Sequence, residues 1–343
     1  MAKHRGIHTF IKVITAGSIA FLVLTLCCFA YYNLPVHSSS KTGTTDYVWE
    51  KHAYYSKMTE GFGYGKMNNE GFNNLADYHG QRVDLLVMGS SQMEGTNVVQ
   101  HKTAVALLNT LFDTSKYAYN IGISGHDFPH IVNNIERAIQ YYAPQEYVII
   151  ETGSLRFDIP SLEDALTARM QRIPSYGSKI LFYLQKIPSL RLLYSQYKSF
   201  VGTKTQESIA VSPDMASKEV YLEILNRVMN KLQHLRIDYR VNILIFYHPH
   251  LLLTRDGDAS AETNGEDIAL FKQACTDYGI YFVDMTDIFL DAYRNYHILP
   301  HGFTNTAVGV GHLNKNGHSM IANALFRQIR LFQNASGEKF SDI

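Results

Sequence analysis

The sequence predicts an α/β fold with a parallel sheet of about five strands, preceded by one transmembrane helix. Three observations support this prediction. A long uncharged stretch lies near the N-terminus, short apolar runs rich in β-branched residues resemble strands covered on both faces, and segments with helical spacing separate those runs. Strands that alternate with helices in this way indicate βαβ units, whose strands run parallel.

The uncharged stretch covers residues 13–32 and is long enough to cross the hydrocarbon core of a membrane. Lys3, Arg5 and Lys12 precede it without an acidic residue, so the positive-inside rule places the N-terminus in the cytoplasm. A cleaved signal peptide is the alternative, but its apolar region is usually shorter and aromatic residues surround Ala30. A lipoprotein site at Cys27 is disfavoured by the bulky residue before it. We therefore expect an uncleaved single-pass anchor in the cell membrane, with the main domain extracytoplasmic.

Composition divides the remaining chain and limits its function. The formal net charge is zero, so no basic field recruits nucleic acid, and 46% hydrophobic against 18% charged residues indicates a folded protein. Two of the three cysteines lie in the apolar stretch, which excludes an intramolecular disulfide or cysteine metal cluster elsewhere. The predicted segments are a cytoplasmic tail (1–12), the anchor (13–32), a linker with an irregular lead-in (33–80), the α/β domain (81–335) and a tail (336–343).

Within the α/β domain, five strands and six helices follow from the apolar patterns. The predicted strands are Val83–Met88, Tyr117–Ile121, Glu146–Glu151, Val241–Phe246 and Ile280–Asp284. The predicted helices are Thr103–Phe112, Ile131–Tyr142, Glu219–Leu235, Ile268–Tyr278, Thr286–Tyr293 and Asn316–Phe332. Residues 157–214 interrupt the alternation and form a predicted insertion with a locally basic character. Its basic residues fit either a solvated helical face or contact with an anionic polymer or lipid headgroups: Arg169, Arg172, Lys179, Lys186, Arg191 and Lys198.

Small and polar residues follow several predicted strands, where open parallel sheets bind their ligands. The sequence GSSQ follows the first strand at residues 89–92, NIGISGHD ends the second at 120–127, and ETGSLRF ends the third at 151–157. The segment GVGHLNKNGH, residues 309–318, leads into the last helix. The combination of a serine after the first strand, a glycine-containing loop after the second and a histidine before the last helix is more informative than any of these residues alone.

These blocks resemble those of the SGNH, or GDSL-like, hydrolase superfamily. The resemblance implies a flavodoxin-like three-layer sandwich, Ser91 as nucleophile and His312 as its base. It also implies that the backbone N–H groups of Ser91 and Gly125 stabilise the oxyanion. Two positions depart from the pattern: the third block has no asparagine, and Gly309 stands where the family has the aspartate that orients the base. We expect Thr152 or Ser154 to replace the asparagine, and Asp284 or Asp287 to replace the aspartate.

Four further polar residues are expected at the rim of this site, near the ends of the first and fourth strands: Ser90, Gln92, His248 and His250. The two histidines flank Pro249 and could join His312 or Asp284 in a metal site. Histidines around a proline without a neighbouring carboxylate are more typical of a substrate rim, so we expect no metal and no cofactor.

The Gly-Ser-Ser block and the anchor also resemble membrane-anchored relatives that act in D-alanylation of teichoic acids and O-acetylation of exopolysaccharides. The resemblance implies a serine esterase or O-acyltransferase acting on acyl esters of cell-envelope glycopolymers. Its expected partners are an acylated glycan or teichoic-acid-like polymer, the membrane and an integral-membrane acyl carrier protein. Two alternatives stay open: a non-catalytic scaffold or binding protein for polymer assembly, and a sensor or assembly factor with an unrelated α/β fold.

Overall fold

The computed structural model describes residues 2–40, 44–167, 183–202 and 218–335. Helix α1, Ala2–Tyr31, contains the predicted anchor, and its segment Ile7–Tyr31 is long and apolar enough to cross a membrane. Its apolar side chains are largely exposed rather than packed in a core, in agreement with a membrane-spanning role by composition and length.

The main sheet has five parallel strands, and the predicted α/β class is confirmed. They are β6 (Leu85–Met88), β7 (Ala118–Asn120), β8 (Tyr147–Thr152), β9 (Asn242–Tyr247) and β12 (Tyr281–Asp284). Their order across the sheet is β12-β9-β8-β6-β7, which in chain order is the flavodoxin-like 2-1-3-4-5 arrangement. The strand order reverses between β6 and β8, so the carboxyl end of β6 lies at the switch point where such sheets bind ligands.

Helices cover both faces of this sheet and form two hydrophobic cores. On one face pack α4 (Phe128–Tyr142), α7 (Lys218–Asp238) and α8 (Gly265–Asp277). On the other pack α3 (Ala104–Phe112), α9 (Thr286–Tyr296) and α10 (Lys315–Ala335). Residues of β6 alternate between the two cores, since Leu86 and Met88 join the first while Leu85 and Val87 join the second. This double burial explains why the strands read as continuous apolar runs.

The segment 33–80 differs from the predicted irregular lead-in because it forms two small antiparallel sheets. One contains β1 (Tyr32–Asn33), β4 (Tyr54–Lys57) and β5 (Gly63–Lys66), and the other contains β2 (His37–Ser39) and β3 (Tyr47–Trp49). Short strands with frequent glycines lack a long alternating pattern, so apolar periodicity does not predict them. The β4–β5 hairpin loop reaches the carboxyl end of β6 and supplies a residue to the candidate site.

Only part of the predicted insertion is described, and that part is helical: α5 (Ile159–Leu166) and α6 (Pro188–Gly202). Arg169, Arg172 and Lys179 of the predicted basic cluster lie outside the described residues, as does the predicted tail 336–343. A short helix α2 (Ser91–Glu94) and a hairpin of β10 (Leu251–Leu253) and β11 (Ala259–Ala261) complete the elements that position the site.

Candidate active site

Ser91 begins helix α2 directly after the first strand of the main sheet. Ser90 caps this helix by accepting a hydrogen bond from the Gln92 backbone N–H, and Gly95 ends it in a left-handed conformation. The turn places the partly exposed Ser91 side chain at the carboxyl end of β6. Ser90, expected at the substrate rim, therefore has a capping role that fixes the turn.

His312 brings its imidazole to Ser91 from a loop more than two hundred residues away. Its Nε2 lies 2.9 Å from Ser91 Oγ. The loop is fixed from both sides: Gly302 N–H donates to the His312 carbonyl, and Leu313 N–H donates to Gln92 Oε1 at 2.7 Å. Gln92, also expected at the rim, thus ties the nucleophile helix to the histidine loop. Asn314 then caps α10 by accepting from Asn316 and Gly317 N–H groups.

The carboxylate against the other ring nitrogen of His312 belongs to Glu60, in the β4–β5 loop. Glu60 Oε1 lies 2.7 Å from His312 Nδ1 and also accepts the His312 backbone N–H at 2.8 Å. Burial raises the pKa of Glu60. Hydrogen bonds from His312 and attraction to His312 and Lys57 outweigh burial and lower the pKa to about 2. An ionised Glu60 only accepts, so the hydrogen bond between them requires a hydrogen on Nδ1 of His312 and leaves Nε2 facing the Ser91 hydroxyl.

Two asparagines hold Glu60 in place. Asn97 Nδ2 donates to the Glu60 carbonyl, and Asn305 Nδ2 donates to the carbonyls of Met58 and Gly61. The close approach of Glu60 to the His312 loop also requires glycine at position 311. This residue has φ +95°, and a Cβ added there would lie 2.4 Å from Glu60 Oε1. Glu60 therefore sits in a fixed position rather than on a free loop.

Glu60, rather than Asp284 or Asp287, is the carboxylate that contacts His312 Nδ1. Asp284 lies at the end of β12, where its Oδ1 accepts hydrogen bonds from the backbone N–H and hydroxyl of Thr286. Asp287 is exposed on α9. Neither contacts His312 within the described residues. Sequence reasoning missed Glu60 because it lies 252 residues from His312 in a segment that matches no block of the family, and no local signal separates it from the other acids there.

The predicted oxyanion glycine, Gly125, lies in an exposed turn with φ +84° after β7. Glu94, the buried last residue of α2, accepts hydrogen bonds from Ser124, which precedes Gly125. The donors are the Ser124 backbone N–H, at 3.2 Å, and the Ser124 hydroxyl. Tyr47 donates to the Ser124 carbonyl from the other side. Burial raises the pKa of Glu94 despite these hydrogen bonds. No described residue accepts a hydrogen bond from the backbone N–H of Ser91 or of Gly125.

Thr152 and Ser154, expected to supply a third donor, use their hydroxyls within their own turn. Thr152 Oγ1 donates to the Ser154 carbonyl, and Ser154 Oγ donates to the Arg156 carbonyl at 2.8 Å. Short hydroxyl side chains form such local bonds readily, which explains the departure from the expected role. Neither hydroxyl is therefore directed away from its own turn.

A second glutamate–histidine pair lies beneath the nucleophile turn. Glu151 accepts the Ser90 backbone N–H at 2.6 Å and pairs with His248 Nε2 at 2.7 Å. Burial raises the pKa of Glu151, but these bonds and the charge of His248 outweigh it and lower the pKa. His248 is 1% exposed, so it is a buried partner of Glu151 and not the rim residue that the sequence suggested. The nearby strand end requires glycine at position 89, because a Cβ there would lie 2.8 Å from Glu151 Oε2.

His250, the other expected rim histidine, is half-buried and packs against His301, with ring centroids 4.3 Å apart. Burial and the neighbouring His248 lower its pKa, so it is neutral near pH 7. Among the described residues, no group of three or more histidine, cysteine or acidic side chains has a geometry that holds a metal ion.

Comparisons with known proteins agree with this architecture. No family model matches the chain, and no curated protein matches it. Among solved structures, it is similar to the esterase EstA from Pseudoalteromonas sp., with 15% identity, 73% of this chain and 98% of that chain covered, and a TM-score of 0.37. An acetyl xylan esterase shares 12% identity over 71% of this chain and 99% of that chain, with a TM-score of 0.41.

A member of the lipolytic G-D-S-L family from Veillonella parvula shares 11% identity over 71% of this chain and 96% of that chain, with a TM-score of 0.36. The matching structures include esterases and SGNH/GDSL hydrolases, and at these identities the likeness concerns the fold alone.

Proposed function

We propose that this protein is a membrane-anchored, extracytoplasmic serine esterase or O-acyltransferase acting on acyl esters of cell-envelope glycopolymers. The observation that carries the proposal is the continuous chain of contacts from Ser91 Oγ through the His312 ring to Glu60. This is the arrangement of nucleophile, base and orienting carboxylate that activates a hydroxyl for acyl transfer.

In the proposed reaction, His312 Nε2 takes the Ser91 hydroxyl proton while Oγ bonds to the ester carbonyl carbon. The carbonyl oxygen becomes an oxyanion held by the N–H groups of Ser91 and Gly125, and Glu60 stabilises the imidazolium. The intermediate collapses, the ester C–O bond breaks, and the departing alcohol takes the proton from His312. Attack on acyl-Ser91 by water gives hydrolysis, whereas attack by a sugar hydroxyl gives transfer.

A serine-directed fluorophosphonate tests the nucleophile. We expect the full chain in detergent to be labelled and the Ser91→Ala variant to be spared, because only an activated serine reacts with phosphonates at a useful rate. Ser90→Ala is the matched control, since Ser90 lies beside Ser91, its hydroxyl caps α2, and its backbone N–H bond to Glu151 is kept in the variant; Ser90→Ala should retain labelling. Undiminished labelling of Ser91→Ala removes Ser91 from the proposed role.

A cavity beside the site supports an anionic glycan as substrate. It has a volume of about 360 Å³ and lies between the segments that follow Glu60 and His312. Its walls combine the aromatic rings of Phe62 and Phe303 with the ammonium groups of Lys102 and Lys315, and no acidic side chain lines it. Neither lysine forms an ion pair with a described acid. Aromatic faces suit sugar rings, and the ammonium groups suit phosphate or carboxylate.

We expect the double variant Lys102→Ala with Lys315→Ala to raise KM for an acylated anionic polymer while leaving the hydrolysis of p-nitrophenyl acetate unchanged. The small neutral ester needs only the catalytic groups, whereas the polymer also uses the cavity. Lys272→Ala, on α8, is a control for loss of positive charge. If the double variant affects both esters equally, or leaves KM for the polymer unchanged, the polymer binds outside this cavity.

The non-catalytic scaffold is the second candidate, favoured by the use of the Thr152 and Ser154 hydroxyls within their own turn. A chain carrying Ser91→Ala and His312→Ala separates the two functions in cells. If it restores the polymer phenotype of a deletion strain completely, the scaffold function is sufficient; failure to restore it, at equal protein level, supports catalysis.

A further inference from the structure

Helix α6 of the insertion contacts helix α1 within its apolar stretch. Ser189, the second residue of α6, has its Oγ 3.0 Å from Thr25 Oγ1 and is 2% exposed. The described part of the catalytic domain therefore does not lie wholly beyond the end of the anchor. Helix α6 begins beside helix α1.

The position of Thr25 along the anchor fixes the depth of this contact. The uncharged stretch 13–32 begins directly after Lys12, and about twenty residues are needed to cross the hydrocarbon core. Thr25 precedes Tyr31 by six residues, so it lies about 9 Å inside the outer end of the helix at 1.5 Å per residue. If the helix spans the membrane, Ser189 lies at the same depth.

The face of α6 that meets the anchor continues with apolar side chains. Leu193 and Tyr197 follow Ser189 by four and eight residues, which places them on the same side of the helix. Leu193 is 62% exposed and Tyr197 is 64% exposed. A leucine and a tyrosine on such a face suit the boundary between acyl chains and headgroups.

The polar contacts at the start of α6 lie closer to the outer end of the anchor than Thr25 does. Arg191 Nη1 lies 3.5 Å from Asn33 Oδ1, directly beyond the apolar stretch, and Lys186, two residues before α6, pairs with Glu50 at 2.8 Å. Arg191 follows Ser189 by two residues, so its backbone is near the depth of Ser189, whereas its guanidinium reaches Asn33. This is the orientation of an arginine side chain that extends to the membrane surface.

We propose that α6 begins inside the outer leaflet and lies along it, so that phospholipid covers Leu193 and Tyr197. This inference rests on the anchor of the proposed function and adds a second membrane contact to it. The anchor end is itself bonded to the domain, since Met58 N–H donates to the Tyr31 carbonyl at 2.9 Å, and Glu60 follows Met58 by two residues. Two contacts, α1 and α6, would hold the catalytic site beside the membrane in one orientation.

Depth-dependent fluorescence quenching in phospholipid vesicles tests the proposal with the full chain. Leu193→Cys is introduced after Cys27→Ala, Cys28→Ala and Cys275→Ala, labelled with an environment-sensitive fluorophore and reconstituted. Ile237→Cys is the matched control, because Ile237 is 59% exposed but lies at the end of α7, near the edge of the sheet opposite Ser91. Far-UV circular dichroism checks that each variant is folded.

We expect blue-shifted emission and loss of intensity with acyl-brominated lipids at Leu193→Cys, and neither at Ile237→Cys. Equal, unquenched emission at both positions overturns the proposal. A chain that keeps only Cys27, which is exposed on α1, separates this result from failure of the anchor. Quenching at Cys27 without quenching at Leu193→Cys rejects α6 alone, whereas no quenching at Cys27 rejects the anchor and α6 together. Labelling of Ser91 reports catalysis independently of either outcome.

Discussion

Glu60 determines which nitrogen of His312 carries a hydrogen, and through it the reactivity proposed for Ser91. A carboxylate with a pKa lowered to about 2 stays ionised throughout the physiological range and keeps Nδ1 protonated. Its folded pKa lies below the usual value of 4.5, so Glu60 contributes stability above about pH 4.5, and this contribution is lost as the pH falls toward 2. Protonation of Glu60 therefore does not limit activity near neutral pH.

Replacing Glu60 by glutamine should lower kcat and change KM little. Glutamine keeps an acceptor oxygen near His312. It lacks the negative charge that keeps a hydrogen on Nδ1 of the ring and that stabilises the imidazolium formed during the reaction. From the loss of the corresponding carboxylate in a serine protease, we expect a fall in kcat of about 10²–10⁴. Steady-state hydrolysis of p-nitrophenyl acetate measures it.

Asp284→Asn provides the control, because Asp284 contacts Thr286 and not His312. Its kcat should remain close to that of the wild type. A large loss in Asp284→Asn together with an active Glu60→Gln variant would reverse the assignment of the orienting carboxylate.

At the scale of elements, the site depends on how strand ends and helix starts are joined. The β6–α2 turn is held from below by Glu151, which accepts the Ser90 N–H and pairs with His248. The turn after β7 that contains Gly125 is held by Glu94 at the end of α2, which accepts the Ser124 N–H. Both carboxylates are buried, so each element is fixed by a group that would be costly to leave unpaired.

Glu151→Gln should destabilise the fold by about 1–3 kcal/mol at pH 7, because a glutamine amide leaves either Ser90 N–H or His248 without its acceptor. The folded pKa of Glu151 is lowered, so its stabilising effect is present above its unfolded pKa and declines as the pH falls. The difference in unfolding free energy between wild type and variant should therefore shrink in acid. Urea unfolding at several pH values, followed by the fluorescence of the single tryptophan, measures this difference.

Glu266→Gln is the control for this experiment. Glu266 pairs with Lys218 on the surface and is 64% exposed, so its removal should change stability by less than about 1 kcal/mol. A Glu151→Gln effect no larger than that of Glu266→Gln would show that the pair beneath the turn does not support it.

At the scale of the whole molecule, helix α1 and the α/β domain are connected by paired strands. Strand β1 follows α1 without a gap and pairs with β4, and the β4–β5 loop carries Glu60. The polar segment 37–45, expected as a linker, includes β2, which pairs with β3. The domain is thus attached directly to the outer end of the helix rather than at a distance from it.

The proposed orientation predicts different labelling of the two sides of the anchor. A membrane-impermeant maleimide should label Ile237→Cys in intact cells and His8→Cys only after permeabilisation, in a background without native cysteines. The reason for this expectation is the positive residues before the apolar stretch, because positively charged flanks of membrane helices are usually retained in the cytoplasm. Labelling of His8→Cys in intact cells, with Ile237→Cys protected, would contradict the orientation.

Local patterns in the sequence determined the strands and helices of the main sheet, because apolar periodicity reports burial within a few residues. They also located Ser91 and His312, since each lies in a short block beside a strand or helix end. Only the tertiary structure placed Glu60 against His312 across 252 residues and brought Glu151 beneath Ser90. Such contacts depend on how the β4–β5 hairpin packs on the sheet and on the space left by Gly311 and Gly89, and no local pattern of residues encodes either.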